Sequence, residues 1–385
     1  MDLRGYRRPD GRVGFRNHVL ILPTTICSSN VAHRISQEVP GTITVPNDSG
    51  CALLGKDHEV YARTIINTAG NPNVAATLVV GLGCEPISAE RAAAEIERFG
   101  KPVRYLNIQQ VGGTINTLRE GVRVAQQMMA QASTLKTEPA AVADLVVGLE
   151  CGGSDAASGL TANTALGAAV DRIVDEGGTA IIGETDECIG AEMLMAANAK
   201  TEAVGKRILE VVKRFEDHVR MYGADLSTGQ PARGNIEAGL STIEEKSLGC
   251  AMKIGTRPIV EVLEYSQIPG QRGPMLMDTP GYDITSITGL VAGGCQIIVF
   301  TTGLGTPVGI AVAPVIKVIS NTPAYERMKD NIDINAGTIL EGKETIEEVG
   351  ERIYNMILEV ANGQKTKAEI LGENQFSVWR TTTEL

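Results

Sequence analysis

Two stretches, Leu78-Val-Val-Gly-Leu-Gly-Cys84 and Leu145-Val-Val-Gly-Leu-Glu-Cys151, indicate the fold of the chain. Each is a short apolar run that ends in a cysteine, which is typical of a strand buried on both faces of a parallel sheet. After the first run, Ser88 fits a helix N-cap, Ala89–Phe99 has helical spacing, and Pro102–Asn107 reads as the next strand. We therefore predict βαβ units.

The same pattern continues along the chain. Further strands are predicted at His18–Pro23, Thr179–Ile182 and Cys295–Phe300, and helices at Ser28–Glu38, Asn163–Glu176 and Thr345–Ala361. The polar stretch Ser133–Ala141 fits a linker. We predict a layered αβα fold with largely parallel sheets and two α/β domains, residues 1–138 and 139–385. Because the helices between the repeated strands differ, we interpret the repeat as a common strand pattern rather than a duplication.

Composition excludes several classes of protein. The 385 residues include 46 Asp and Glu against 35 Lys and Arg, a net charge of −11, and no basic run provides a footprint for nucleic acid. No apolar stretch reaches membrane-span length, and the charged first residues do not fit a signal peptide. The sequence therefore predicts a cytoplasmic globular protein with no nucleic-acid or membrane partner.

Polar and sulfur-containing residues follow several of the predicted strands, where open parallel sheets bind their ligands. Ser154 and Asp155 follow a Gly-Gly pair and fit either a helix N-cap or a grip on an anion or its metal. Glu184 and Glu187 follow another strand and fit either a solvated loop or general acid–base groups.

Other motifs are absent or weak. The turn Thr301–Gly309 lacks the G-x-G-x-x-G frame and the lysine of a P-loop, which argues against an NAD enzyme or an NTPase. No C-x-x-C pair signals structural zinc, and the four histidines have no metal-type spacing. Cys51, Cys84 and Cys151 lie on predicted Gly-rich turns and fit either ligands or buried thiols, whereas the other cysteines are expected to pack in the core.

Motifs along the whole chain resemble the altronate and galactarate dehydratases, a family that includes the beta subunit of sulfolactate sulfo-lyase. The matching motifs are Gly5–Arg8, Gly11–Asn17, Gly50-Cys51, Gly81–Glu85, Cys151–Asp155, Ser158-Gly159, Thr161–Asn163, Glu184, Glu187, Gly234-Asn235, Gly239, Glu245-Lys246, Leu248-Gly249, Thr301–Gly309, Pro314–Lys317 and Asp333–Gly337. The resemblance implies a hydro-lyase that converts altronate or a similar sugar acid to a 2-keto-3-deoxy acid, by loss of the C2 proton and the C3 hydroxyl.

This reaction suggests roles for the motif residues. Glu184 and Glu187 are candidate general acid–base groups, and Lys246 and Lys317 are candidate bases or carboxylate partners that fit surface lysines equally well. The residues expected to bind substrate are Ser154, Asp155, Asn235, Thr302, Gly303, Gly305 and Thr306.

A divalent metal would hold the substrate carboxylate and absorb the developing charge. We predict that Cys51, Cys84 and Cys151 approach one another at strand ends of one parallel sheet and hold iron, either as Fe²⁺ or as an iron–sulfur cluster. The alternative is a hard cation, such as Mn²⁺, on carboxylates around Asp155 and Glu187.

Two departures from the family pattern matter. The single-chain dehydratases carry an extra N-terminal SAF-type domain, so a small SAF-domain subunit is expected as a partner in a homo- or hetero-oligomer. Leu304 stands where these enzymes usually have Arg, so the acid that is bound here is expected to differ. The alternatives left open are a sulfolactate sulfo-lyase beta subunit, which would cleave a C–S bond, and a structural subunit of such a complex.

Overall fold

The chain folds around two parallel sheets and a small antiparallel sheet, which confirms the predicted α/β class. The computed structural model describes residues 2–382, except for the side chains of residues 227 and 228. In the small sheet, β1 (Leu3–Arg7) pairs with β2 (Val13–Gly14) and with β7 (Glu138–Ala140). The segment predicted as a linker thus pairs with the start of the chain.

The first parallel sheet has four strands in the order β4-β3-β5-β6. Its strands are β3 (His18–Pro23), β4 (Thr42–Thr44), β5 (Val74–Gly81) and β6 (Val103–Asn107). The accompanying helices are α1 (Ile26–Glu38), α2 (Gly55–Gly70), α3 (Ala89–Ile96), α4 (Ile108–Val111) and α5 (Thr114–Ala132). Along the chain, β4 is added on one side of β3, and β5 and β6 are then added on the other side, as in doubly wound folds.

The second parallel sheet has seven strands in the order β10-β11-β9-β8-β12-β13-β14. Its strands are β8 (Val146–Gly152), β9 (Thr179–Ile182), β10 (Glu261–Leu263), β11 (Pro274–Met277), β12 (Ile297–Thr302), β13 (Val315–Ile319) and β14 (Ile334–Asn335). The helices that follow β7 are α6 (Ala162–Asp175), α7 (Glu192–Ala197), α8 (Glu202–Met221), α9 (Leu226–Gly229), α10 (Arg233–Glu237), α11 (Ile243–Ala251), α12 (Asp283–Ala292), α13 (Thr322–Arg327), α14 (Ile346–Ala361) and α15 (Lys367–Leu371).

Apolar side chains on both faces of the seven-stranded sheet form the main cores. On one face, α6 and α14 pack together over residues such as Val147 and Leu149. On the other face, Ile298 and Phe300 belong to a core that also includes side chains of α2, α3 and the four-stranded sheet. The two parallel sheets therefore share one continuous apolar layer. Within residues 2–382, the helices are too short or too polar to cross a membrane.

Two expectations about the cysteines are wrong. Cys84 and Cys151 belong to different sheets, because Cys84 follows β5 of the four-stranded sheet, whereas β8 belongs to the seven-stranded sheet. Cys151 also lies inside β8 rather than on a turn. The two apolar runs look alike because both strands are buried on both faces of a sheet. Such a run predicts that a strand is buried, but it does not predict which other strands pair with it.

Candidate active site

The main cluster of buried polar side chains lies at the carboxyl end of the seven-stranded sheet. Cys151 is near the end of β8, and Glu184 and Glu187 belong to the segment that follows β9. Across them lies α11 with the 3₁₀ turn Met252–Ile254, which contributes Lys246, Cys250 and Lys253. These three positions are spaced four and three residues apart, so they share one helix face.

Four potential ligands converge at the centre of this cluster. Cys151, Glu184, Glu187 and Cys250 each offer a sulfur or carboxylate oxygen, and these atoms lie within 4.8 Å of one another. All four residues are buried. Cys151 Sγ is 3.1 Å from Glu187 Oε2 and 3.6 Å from Glu184 Oε1. Thiol and carboxylate therefore meet in a nearly dry environment, where charge interactions are strong.

Two lysines balance the two carboxylates. Lys246 Nζ lies 2.7 Å from Glu187 Oε1, and Lys253 Nζ pairs with Glu184 Oε2. Burial lowers the pKa of Lys246, but the charge of Glu187 outweighs burial and holds this pKa above its usual value. Both lysines are thus ammonium ions at neutral pH. The Lys246 side chain is 7% exposed, whereas Lys253 is fully buried, so only Lys246 of the two has any contact with solvent.

The protonation of the central group follows from burial. Burial raises the pKa of Glu184 to about 8 against the pull of Lys253, whereas Lys246 outweighs burial and lowers the pKa of Glu187. The hydrogen bond with Cys250, burial and both carboxylates raise the pKa of the Cys151 thiol. Although the hydrogen bond with Cys151 lowers the pKa of Cys250, burial brings it to about 11. Both thiols are therefore protonated at neutral pH.

The donor set fits a divalent metal ion. Each lysine binds one oxygen of its carboxylate, which leaves Glu184 Oε1 and Glu187 Oε2 facing the Cys151 sulfur. Two sulfurs and two carboxylate oxygens suit a borderline cation such as Fe²⁺ or Zn²⁺ better than a hard one. With both thiols ionised, two positive charges on the metal and two on the lysines balance four negative ligands. The lysines would then act as outer partners that orient the ligands.

Further carboxyl groups surround the group of four. Burial raises the pKa of Asp186 to about 6 and that of Asp283 to about 6, with the charge of Glu187 adding to both. Glu150 is fully buried beside Glu184, and its Oε1 lacks a hydrogen-bond partner among the described residues, as does Asp186 Oδ1. Asp283 is only partly buried, and its Oδ2 packs against Gly152, where a Cβ would lie 2.3 Å from that oxygen.

The predicted substrate-binding residues form the neighbouring loop wall. The Asp155 carboxylate accepts hydrogen bonds from Ser158 Oγ, Ser320 Oγ and Asn321 Nδ2 at 2.7, 2.7 and 3.0 Å. A Cβ at Gly303 would lie 2.5 Å from the Asp155 carboxyl carbon, so glycine is required for this contact. Asp155 thus joins three loops, which favours a role in holding turns together. The N-cap expectation for Ser154 and Asp155 is wrong, because α6 begins at Ala162 with Thr161 as its N-cap.

The remaining predicted substrate residues also hold loops together. Asn235 Nδ2 donates to the Ser154 carbonyl at 2.8 Å. In the turn after β12, Thr302 Oγ1 accepts from the Gly305 N–H at 3.0 Å, and Thr306 Oγ1 accepts from the Val308 N–H at 3.3 Å. Their contact with a substrate stays a prediction. Leu304 projects from this turn and is 43% exposed.

Lys317, predicted as a base or carboxylate partner, is fully buried below the same turn. Its Nζ donates to the Pro307 and Val308 carbonyls at 2.7 and 3.1 Å. Burial lowers the pKa of this lysine to about 8. These contacts favour a role in holding the turn over a role in proton transfer.

The structure does not bring Cys51 and Cys84 into the group around Cys151. Both are exposed on loops that follow β4 and β5 of the four-stranded sheet. The sequence analysis missed Cys250, Lys253 and Asp283. The four- and three-residue spacing of Lys246, Cys250 and Lys253 could have revealed the first two, since within a helix it brings two ammonium groups and a thiol to one face.

A buried group of thiols, carboxylates and lysines at the carboxyl edge of an α/β sheet is typical of the active site of an enzyme. Comparison with known proteins agrees with this class. Residues 5–133 match the family described as "D-galactarate dehydratase/Altronate hydrolase, second domain", and residues 142–384 match "D-galactarate/Altronate dehydratase, C-terminal". The chain therefore belongs to the D-galactarate/altronate dehydratase family.

Individual relatives cover nearly the whole chain. The beta subunit of (2R)-sulfolactate sulfo-lyase from Chromohalobacter salexigens is 38% identical over 98% of this chain and 96% of its own length. Altronate dehydratase from Bacillus subtilis is 33% identical over 99% of this chain and 78% of its own length. Galactarate dehydratase (L-threo-forming) from Escherichia coli is 36% identical over 94% and 73%. The two dehydratases, which are hydro-lyases, are longer than the region they share with this chain.

Proposed function

We propose that the protein is the large subunit of a sugar-acid dehydratase that acts on altronate or a similar aldonate or aldarate. The reaction removes water from a 2,3-dihydroxy acid and yields a 2-keto-3-deoxy acid. The observation that carries the proposal is the buried group Cys151, Glu184, Glu187 and Cys250 with its two ammonium partners. Such a group supplies a cation site and a proton donor within reach of one anionic substrate.

Lys246 is the proposed acid. Its ammonium lies between Glu187 Oε1 at 2.7 Å and Gln230 Oε1 at 2.6 Å. A protonated amine in this position can donate its proton to the departing C3 hydroxyl, which leaves as water. Glu187 keeps the amine protonated and oriented until that step.

Asp283 is the proposed base. This residue is only partly buried, and the same charges of Glu187, Lys246 and Lys253 act on its carboxyl group. With a pKa of about 6, it is ionised at neutral pH and close to the value that suits a general base. It would take the C2 proton, and the resulting enol would then become the 2-keto acid.

A divalent cation, with iron as our proposal and Mn²⁺ as the alternative, would supply Lewis-acid stabilisation of negative charge on the substrate carboxylate and C2 oxygen. Cys151, Glu184, Glu187 and Cys250 would hold it, and Lys246 and Lys253 would fix the two carboxylates. Because the protein carries a net charge of −11, a local positive centre would also favour approach of an anionic substrate.

A second function deserves a test because of one comparison. The sulfo-lyase beta subunit matches this chain over 96% of its own length, whereas the dehydratases extend further. A C–S lyase would use the same C2 proton abstraction but expel sulfite from C3. The name of that relative also supports our expectation of a partner, and we propose a small SAF-domain subunit in a cytoplasmic complex.

One assay separates these functions. The chain would be incubated with altronate, galactarate and sulfolactate, with and without the extra N-terminal segment of the Bacillus subtilis relative added as a separate polypeptide. We expect 2-keto acid from a sugar acid, no sulfite, and little turnover without the added domain. Release of sulfite would support the second function. No product with any substrate and the added domain would support a structural subunit instead.

A further inference from the structure

The segment that carries both glutamates is held in place by two residues at the end of β11. Glu184 adopts a left-handed backbone conformation, with φ of 66°, which costs free energy unless its surroundings enforce it. Its N–H donates to Thr279 Oγ1 at 2.6 Å, and the Thr185 N–H donates to the Thr279 carbonyl at 2.8 Å. Thr185 Oγ1 donates to Asp278 Oδ1 at 2.6 Å. Asp278 and Thr279 therefore hold the reactive segment, residues 184–187, in place.

Asp278 is itself held by Arg214 of α8. The Arg214 guanidinium pairs with Asp278 Oδ2. It also donates to both oxygens of the Glu264 carboxylate, to Oε1 at 3.2 Å and to Oε2 at 3.0 Å. Asp278 is buried, whereas the Arg214 side chain is 46% exposed. The arginine thus connects a solvent-accessible charge to a buried carboxylate that touches the reactive segment.

From these contacts we infer that Arg214 is a positioning residue for the proposed dehydration, acting through Asp278 and Thr185 on Glu184 and Glu187. The inference rests on the proposed function, because it assigns those glutamates to the reacting centre. Without the guanidinium, the Asp278 carboxylate would be buried with no cation beside it. A carboxylate in that state takes up a proton or turns toward water. Protonation weakens Asp278 as the acceptor of the Thr185 hydroxyl, and turning toward water removes that acceptor.

A cavity beside Arg214 makes this inference testable by chemical rescue. The cavity has a volume of about 270 Å³, and its lining includes Arg63, Arg214, Phe215, Tyr265, Asp278 and Trp379. In an Arg214→Ala variant, the space of the lost side chain would join this cavity. Free methylguanidinium could then reach Asp278 from solvent and replace the missing charge.

The test compares Arg214→Ala with Arg207→Ala in the complete protein. Arg207 lies on the same helix and pairs with Glu264, but it does not contact Asp278 among the described residues. We expect Arg214→Ala to lower kcat by about 10- to 100-fold, with little change in KM, because a displaced catalytic group costs about that much. We also expect faster hydrogen exchange of the Glu184 and Thr185 amides. Methylguanidinium below denaturing concentrations should reverse both effects.

Arg207→Ala should keep kcat and should not respond to methylguanidinium. Thr185→Val should reproduce the loss of kcat, and adding Arg214→Ala to it should cost little more, because both changes break one chain of contacts. An unchanged kcat and exchange rate in Arg214→Ala would overturn the inference, as would additive effects in the double variant. If the wild-type protein with the added N-terminal domain showed no dehydratase activity, the proposed function would fail, and hydrogen exchange would still decide the inference.

Discussion

The two parallel sheets have contrasting carboxyl edges. At the seven-stranded sheet, α11 lies across the strand ends and places Lys246, Cys250 and Lys253 against buried glutamates. At the four-stranded sheet, three thiols near the strand ends are exposed: Cys27 at the start of α1, and Cys51 and Cys84 on loops. Both edges have the topology that binds ligands in open α/β sheets. The topology alone therefore does not determine where the chemistry lies.

The difference is how each edge uses its carboxylates. In the four-stranded sheet, Glu85 accepts from Thr24 Oγ1 at 2.8 Å and from the Leu82 and Gly83 N–H groups at 3.1 and 2.7 Å. Its hydrogen-bonding capacity serves its own loop. At the other edge, each central glutamate meets a lysine and a thiol instead. A carboxylate surrounded by ionisable partners can exchange protons or bind a cation, and one that caps its own loop holds structure.

The largest expected effect comes from comparing a buried lysine at each sheet. Lys246→Met should lower kcat about 10²- to 10⁴-fold, because it removes the proposed proton donor. Lys101→Met is the control, since Lys101 is buried beside the four-stranded sheet, where its Nζ donates to the Ala69 and Asn71 carbonyls at 2.6 and 2.8 Å. It should lower thermal stability and keep kcat. Equal losses of kcat in the two variants would place the chemistry elsewhere.

The second prediction concerns the fully buried pair Lys253–Glu184. At pH 9, where Glu184 with a pKa of about 8 is mostly ionised, Lys253→Met should lower the free energy of unfolding by about 3–5 kcal/mol, because it leaves a buried carboxylate without its cation. Burial already raises the pKa of Glu184 to about 8, so this carboxyl will then protonate more readily. Urea unfolding of the single and double variants measures the effect. The double variant Lys253→Met/Glu184→Gln should recover most of the loss, and a double variant as unstable as the single one would contradict the pairing.

The third prediction separates the two sets of cysteines. Cys250→Ala should lower the iron content of anaerobically purified protein, whereas Cys84→Ala should leave both iron and activity unchanged. Metal uptake by the wild type at pH 8.5 should also release about two protons, one from each thiol, which a pH indicator can follow. Loss of iron in Cys84→Ala, with Cys250→Ala unaffected, would support the cysteine set that the sequence suggested.

Much of the fold follows from local sequence. Alternating apolar runs and helical segments predict the strands at 18–23 and 179–182 and the last long helix, because buried strands and amphipathic helices leave regular patterns. The assignment of strands to sheets does not follow, since β5 and β8 carry nearly the same apolar run but lie in different sheets. Pairing depends on contacts between distant segments, and a single sequence does not record them.

The sequence likewise predicts some residues of the candidate site and misses others. Glu184, Glu187, Lys246 and Cys151 lie together in the structure, and each stands beside a strand end or in a motif. Cys250 was expected to be a packing residue, because a buried thiol inside a helix looks the same whether it fills space or faces a carboxylate. Only the position of α11 over β8 reveals the difference.

The last prediction, with the smallest effect, concerns pH. Burial and the charge of Glu187 raise the pKa of Asp283 to about 6. If Asp283 is the base, it must be ionised to act, so kcat/KM should rise with pH up to about 6 and level off above it. At one pH unit below that value, activity should be about tenfold lower, as expected for a single titrating group. Asp283→Asn should lower the plateau and remove this acidic limb.

Glu85→Gln is the matched control for that measurement, because its carboxyl group serves a loop of the other sheet. It should keep the acidic limb at the same pH. Asp186, whose pKa burial also raises to about 6, is the rival source of the limb. If Asp186→Asn removes the limb and Asp283→Asn keeps it, then the base is Asp186. Because Asp186 Oδ1 lacks a partner among the described residues, that result would also move the substrate to the side of the cluster that faces Gln230.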